Sequence, residues 1–203
     1  VVMQIAGGYN SHGGFGNASR AIVSATGGQL KPTDRGAGAD AAFKGIGPKE
    51  IPGAMKVKIF LAGIIQGSQI GTVIHDQEYR GRLRSLLKAA LPEAEAYCPH
   101  ENHPNSLSYD QQRASEVFFE HVAMASEADV VIAYVPQASM GTAIEMWEAY
   151  RAGRIVLTIS PLTENWVIRL LSTRNFTDMK EFEAFVSGGE FASFLEEHAR
   201  PRR

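Results

Sequence analysis

Glu145 stands six residues after Ser139 in the run Ser139-Met140-Gly141-Thr142-Ala143-Ile144-Glu145. A carboxylate can attack or stabilise an electron-poor carbon. A helix starting within this run would add free N–H groups and a positive dipole end, which suit an anion. The Ser139 hydroxyl would be one more donor, beside Gly141 and Thr142. The same spacing has a purely structural account. Thr142-x-x-Glu145 reads as a capping box, contributing about 1 kcal/mol with no catalysis.

Other groups are candidates for the same site. The run Gly63-Ile64-Ile65-Gln66-Gly67-Ser68 carries small residues that leave room for a ligand. His103 and Tyr109 lie in a polar stretch that can face a base or a sugar, and His121 follows on a helical pattern. His100, Glu101 and His103 are dense enough to raise the question of metal. Their spacing fits no zinc pattern, so no metal is expected. Arg80, Arg84 and Lys88 recur at helical spacing. They can steer an anion, but a solvated helix face explains them more simply. Trp147 and Tyr150 read as packing residues, and Cys98 as a core thiol.

The elements that must hold these residues alternate in type. Strands are expected at 57–62, 95–98, 129–135 and 155–159. Helices are expected at 76–90, 109–126, 142–152, 165–171 and 179–198. Leu83, Leu86 and Leu87 mark the inward face of the first helix; Val117, Phe118, Val122 and Ala125 mark that of the second. Strands alternating with helices predict an α/β fold: a flavodoxin-like, Rossmann-like three-layer sandwich with a parallel sheet of about five strands. Ligands of such sheets bind beyond the carboxyl ends of the strands. A 2-1-3-4-5 order would put the loops at 63–68 and 136–141 side by side.

Residues 1–54 read differently. They hold 12 of the 20 glycines and little periodicity. They are expected to form an irregular, partly disordered extension, with the catalytic domain at 55–203. A rival reading makes Gly13-Gly14-Phe15-Gly16 a phosphate loop after a first strand, although the spacing fits no dinucleotide fingerprint.

Composition narrows the function classes. The formal net charge is -2, with 21% charged and 44% hydrophobic residues. Nothing there points to a nucleic-acid polymer or a membrane partner. The single cysteine cannot form an internal disulfide, which fits a cytoplasmic protein.

Three segments together resemble the nucleoside 2-deoxyribosyltransferase superfamily, which includes deoxynucleoside 5'-monophosphate N-hydrolases and CMP-type N-glycosidases. They are Ile59-Phe60-Leu61-Ala62-Gly63, Ala128-Asp129-Val130-Val131-Ile132-Ala133, and Ser139-x-Gly141-Thr142-x-x-Glu145. The resemblance implies cleavage of an N-glycosidic bond with Glu145 as nucleophile, by hydrolysis or base exchange. It implies no cofactor, a nucleoside or nucleotide partner, and a homo-oligomer, for which Trp166-Val167-Ile168 is a candidate contact. Members that act on 5'-monophosphates carry serine where this chain has Ser139. Phe60, His103 and Tyr109 become candidate base or sugar contacts, and Gly63, Gln66, Gly67 and Ser68 candidate phosphate contacts. The chain departs from the family at two places. His121 stands where an aspartate is usual, as a candidate acid or base. The first loop carries Ile64, Ile65 and Gln66 in place of polar and basic residues. A non-catalytic nucleotide-binding module of the same fold is the alternative.

Overall fold

The computed structural model describes residues 56–198. The expectations for residues 1–54, and Met55 itself, lie outside the described residues.

Five parallel strands form one sheet in the order β2-β1-β3-β4-β5. They are β1 Lys58–Gly63, β2 Glu95–Tyr97, β3 Val130–Tyr134, β4 Ile155–Ile159 and β5 Arg174–Phe176. The helices are α1 Glu78–Ala90, α2 Pro99–Asn102, α3 Gln111–Glu127, α4 Met140–Arg151, α5 Trp166–Leu171, α6 Met179–Ser187 and α7 Glu190–His198. The fold is the flavodoxin-like three-layer α/β sandwich that the alternating pattern predicts.

Strand alternation builds both layers. Ile59, Leu61, Val130, Ile132, Ile155, Leu157 and Ile159 face α1, α6 and α7 through Leu83, Phe182 and Phe191. Phe60, Ala62, Val131, Ala133 and Val156 face α3, α4 and α5 through Ala125, Met146 and Ile168. The central strands are therefore apolar at nearly every position, as a sheet covered on both sides requires.

Several local expectations are corrected. β5 and α2 fall in segments read as loop. The single helix expected at 179–198 is two, α6 and α7, separated at Gly188-Gly189. Gly189 adopts φ +82°, a conformation that side chains with a Cβ rarely take. On α3 the buried positions are Val117, His121 and Ala125 at i, i+4, i+8, and Phe118 is exposed. Trp147 and Tyr150 do not pack into the core. They are about half exposed and stack on each other with ring centroids 6.1 Å apart.

Candidate active site

The site is built where β1 and β3 end. Their register pairs Gly63 with Tyr134, so the loops that follow start side by side. The Ile64 amide donates to the Tyr134 carbonyl at 3.1 Å, extending the ladder one residue into the first loop. Gly63 is required by packing. A Cβ there would lie 2.4 Å from the Tyr79 hydroxyl, and the Tyr79 ring stacks on Tyr134 at 4.1 Å.

The first loop largely satisfies itself. Gln66 donates its side-chain amide to the Gly71 carbonyl and accepts, through its own carbonyl, from the Gln69 amide. Gly67 turns the chain at φ +58°. Ile64 is fully buried, while Ser68 is exposed. Gln77 donates to the carbonyls of Ile64 and His75, pinning both ends of the loop.

The second loop enters α4 two residues earlier than expected. Ser139 is the N-cap, with extended backbone and no side-chain cap bond. Its hydroxyl lies 3.0 Å from that of buried Thr142. Thr142 is thus inside the first turn, and the capping box expected between Thr142 and Glu145 does not form. Ser139, and not Thr142, holds the cap position. Gly141 has open space where a Cβ would stand.

Glu145, one turn further on, is half-buried. Among the described residues its carboxyl makes no hydrogen bond and no ion pair within 4.0 Å. Burial pushes it up to about 8, and the Arg80 guanidinium pulls the other way. The Tyr79 phenol feels the same carboxyl and is itself pushed well up by burial. α4, which carries Glu145, begins six residues after the end of β3.

Arg80 was not legible as a site residue, and the reading of it as a solvated position is corrected. Its fractional exposure is 2%. It donates to the carbonyls of Leu61 at 3.1 Å and Gly63 at 3.2 Å, and to the Gln77 side-chain oxygen at 2.7 Å. A longer contact of 3.5 Å reaches Cys98 Sγ, so the buried thiol does have a basic neighbour. The signal was present in the spacing. Arg80 stands three residues before Leu83 and seven before Leu87, on the stripe that faces the sheet. Arg84 does lie at the surface, paired with Glu101, and Lys88 is exposed.

The remaining candidates form a second group. His121 is buried on α3, with Nε2 3.2 Å from the Tyr97 hydroxyl. Its ring lies 5.2 Å from that of His103, whose Nδ1 is 3.1 Å from the Tyr109 hydroxyl. Burial, with His103 adding to it, lowers His121 to about 4. The imidazole is therefore neutral at neutral pH, and it carries no proton to give as an imidazolium. Phe60 supports this group from below, stacked on Tyr97 at 5.9 Å. At 1% exposure Phe60 offers a ligand no surface, because the alternation of β1 turns it into the core. Two open grooves lie elsewhere. One is beside Gly188 and Gly189, and the other is at the amino ends of β4 and β5. Neither includes Glu145 or the two loops.

No family model and no curated protein matches the sequence. Solved structures do match. The chain is similar to a 2-deoxyribosyltransferase from Bacillus psychrosaccharolyticus, at 20% identity and TM-score 0.48, over 63% of this chain and 90% of that one. It is similar to a conserved protein from Enterococcus faecalis V583, at 17% identity and TM-score 0.48, over 66% and 99%. It is also similar to a CMP N-glycosidase from Clostridium botulinum, at 19% identity and TM-score 0.40, over 66% and 98%. The likeness is one of fold. Among the described residues, no helix is long and apolar enough to cross a membrane.

Proposed function

We propose that the protein cleaves the N-glycosidic bond of a nucleoside or nucleoside 5'-monophosphate, with Glu145 as the nucleophile. The observation that carries this reading is the Glu145 carboxyl itself. It is half-buried on the first turns of α4, yet none of the described side chains bonds it. In its ionised form, which burial holds back until about pH 8, the carboxylate is free to engage an anomeric carbon. One carboxylate oxygen bonds to that carbon as the carbon–nitrogen bond breaks. The base leaves with the electron pair and takes up a proton. Water or a second base then releases the sugar, and charge builds through an oxocarbenium-like state in both steps. Which acceptor arrives decides between hydrolysis and exchange.

Ser139 favours a phosphorylated substrate. A hydroxyl at the start of the twelve-residue α4 complements an anion, where a carboxylate would repel it. Gly141 leaves space beside it. The pair His103 and Tyr109, with His121 behind, would contact the base or sugar through their ring nitrogens and hydroxyl. The exposed side chains of Phe119, Trp147 and Trp166 on α3, α4 and α5 favour assembly as a homo-oligomer.

A panel of nucleosides and 5'-monophosphates, assayed for released free base, tests the proposal. At least one nucleotide should be cleaved, and Glu145→Gln should lower its release by several orders of magnitude. The alternative is a nucleotide-binding module without chemistry, favoured by the neutral His121 in place of an acid. Binding of a nucleotide with no base released by the parent protein would establish that alternative.

A further inference from the structure

We propose that the groove at the amino ends of β4 and β5 is a second ligand site, one that takes a phosphate carried on a planar nitrogen heterocycle, as in a mononucleotide. It lies at the sheet end opposite the loops that follow β1 and β3. The proposal stands apart from the role of Glu145.

The first observation is how the guanidinium groups are used. Arg82, Arg84, Arg113, Arg151, Arg169 and Arg174 each have a glutamate within 4.0 Å. Arg80 reaches two carbonyls, an amide oxygen and a thiol. Arg154 differs. It is half-buried just before β4, and its Nε donates to the Ser126 carbonyl at 2.7 Å. Among the described residues that is its one bonding partner. The bond orients the guanidinium and leaves both terminal nitrogens uncommitted. A planar fork held in place suits an oxyanion in a two-point contact.

The second observation is the company that Arg154 keeps. The groove it lines has a volume of about 380 Å³, a size that fits a small molecule. Thr173 adds a donor. Its Oγ1 accepts from the Val156 amide at 3.0 Å, so its O–H is left to donate. Two other residues add acceptors. His198 donates from Nδ1 to the Phe194 carbonyl at 2.9 Å, which in the neutral ring leaves a lone pair on Nε2. Glu197 brings a carboxylate with no ion pair among the described residues. Tyr150 contributes a half-exposed ring, and Leu171 an apolar wall. Donors for an oxyanion, a ring for stacking and acceptors for ring N–H groups are together the complement of a nucleotide.

The neighbouring groove beside Gly188 and Gly189 shows what is particular here. It shares Glu197, but its arginine is already committed. Arg174 lies over the rings of Phe176 and Phe185, 4.9 and 4.3 Å from their centroids, and has Glu190 at 3.8 Å. An anion entering there would compete with Glu190. No carboxylate stands that close to Arg154 among the described residues.

The test is a nitrogen-15 NMR titration of the full chain with adenosine 5'-monophosphate, cytidine 5'-monophosphate and inorganic phosphate, followed at the backbone amides of Gly153 and Thr173. At least one nucleotide should shift both amides saturably, and at lower concentration than phosphate does. Arg154→Gln, whose amide can still donate to Ser126, should weaken that binding about tenfold or more. Tyr150→Ala lies outside the core and carries the test if Arg154→Gln fails to fold. It should weaken the nucleotide about fivefold or more and leave phosphate unchanged. The proposal is overturned if neither nucleotide shifts these amides, if nucleotide and phosphate bind equally, or if the shifts persist unaltered in the folded variants. The same shifts should appear in Glu145→Gln, where no turnover is needed. Failure of the nucleophile reading, seen as full activity in Glu145→Gln, is thus distinguishable from failure of this one.

Discussion

Two corners of the molecule bury ionisable groups in opposite ways. At the end of β1 the buried Arg80 guanidinium is held by the carbonyls of Leu61 and Gly63, while burial pushes the Glu145 carboxyl up to about 8. Beside β2, His121 with Tyr97 and His103 with Tyr109 form two hydrogen-bonded pairs, and Phe60 stacks on Tyr97. Burial drives both central groups toward their uncharged forms, so Glu145 goes up and His121 goes down. Each has an opposing charge, Arg80 for Glu145 and Glu120 for His121, but the second corner also holds a like group, His103, that adds to the effect of burial. On the proposed reading the first corner serves the chemistry and the second recognition of the base or sugar.

The largest expected effect that sharpens this contrast is at Ser139. On the proposed reading, Ser139→Ala removes one hydrogen bond to a charged phosphate. It should weaken binding of a 5'-monophosphate by roughly 1.5–3 kcal/mol and of the free nucleoside much less, as read by calorimetry. Equal losses for both ligands would move the phosphate away from the α4 end.

Next comes the alkaline stability of Glu145→Gln. A carboxyl raised to about 8 favours the neutral form in the folded state. Its contribution is full below the ordinary value of 4.5 and is lost as pH rises through 8. Glutamine does not titrate. The variant should therefore be more stable than the parent at pH 9, by about 1.4 kcal/mol or more, in denaturant unfolding. Parallel pH curves would contradict the burial of this carboxyl.

The second corner should show the opposite slope. His121 is lowered from 6.5 to about 4, so its contribution is present above 6.5 and is lost as pH falls to 4. His121→Gln should remove that acid-side loss, worth up to about 3 kcal/mol, whatever fixed cost the lost packing adds. An inflection in the parent's activity near 6.5 that vanishes in this variant would mean that His121 titrates, and the contrast between the corners would fail.

The smallest effect is at Gly141. A methyl group meets nothing there. Gly141→Ala should stabilise α4 by about 0.4–1 kcal/mol while weakening anion binding. Improved stability with unchanged binding would show that this space is not used by the ligand.

The sheet was legible because β1, β3 and β4 are apolar on both faces, which spacing alone reveals. β5 was not legible. Arg174 and Asn175 give no strand pattern, and the segment is recruited by pairing with Leu157 through Ile159. Glu145 and Ser139 were legible as a pair, but their roles in the helix start were not, because a cap depends on which residue leaves the helical conformation first. Arg80 and His121 were misjudged or left open for a common reason. A polar residue on an inward stripe looks like a surface residue until the carbonyls or hydroxyls that receive it are known. For both, the interval to apolar neighbours on the same helix already placed them inward.

Gly63 and Tyr79 together constrain how this chain can change over generations. The tyrosine hydroxyl fills the place that any larger residue at position 63 would need. A replacement at 63 is tolerable only after position 79 has lost bulk, whereas a smaller residue at 79 is tolerable first. The order of the two substitutions matters, and half of the mutational routes between the two states are closed. Drift at the end of β1 should therefore begin at Tyr79, and the glycine beside Arg80's anchoring oxygen should be the last to move.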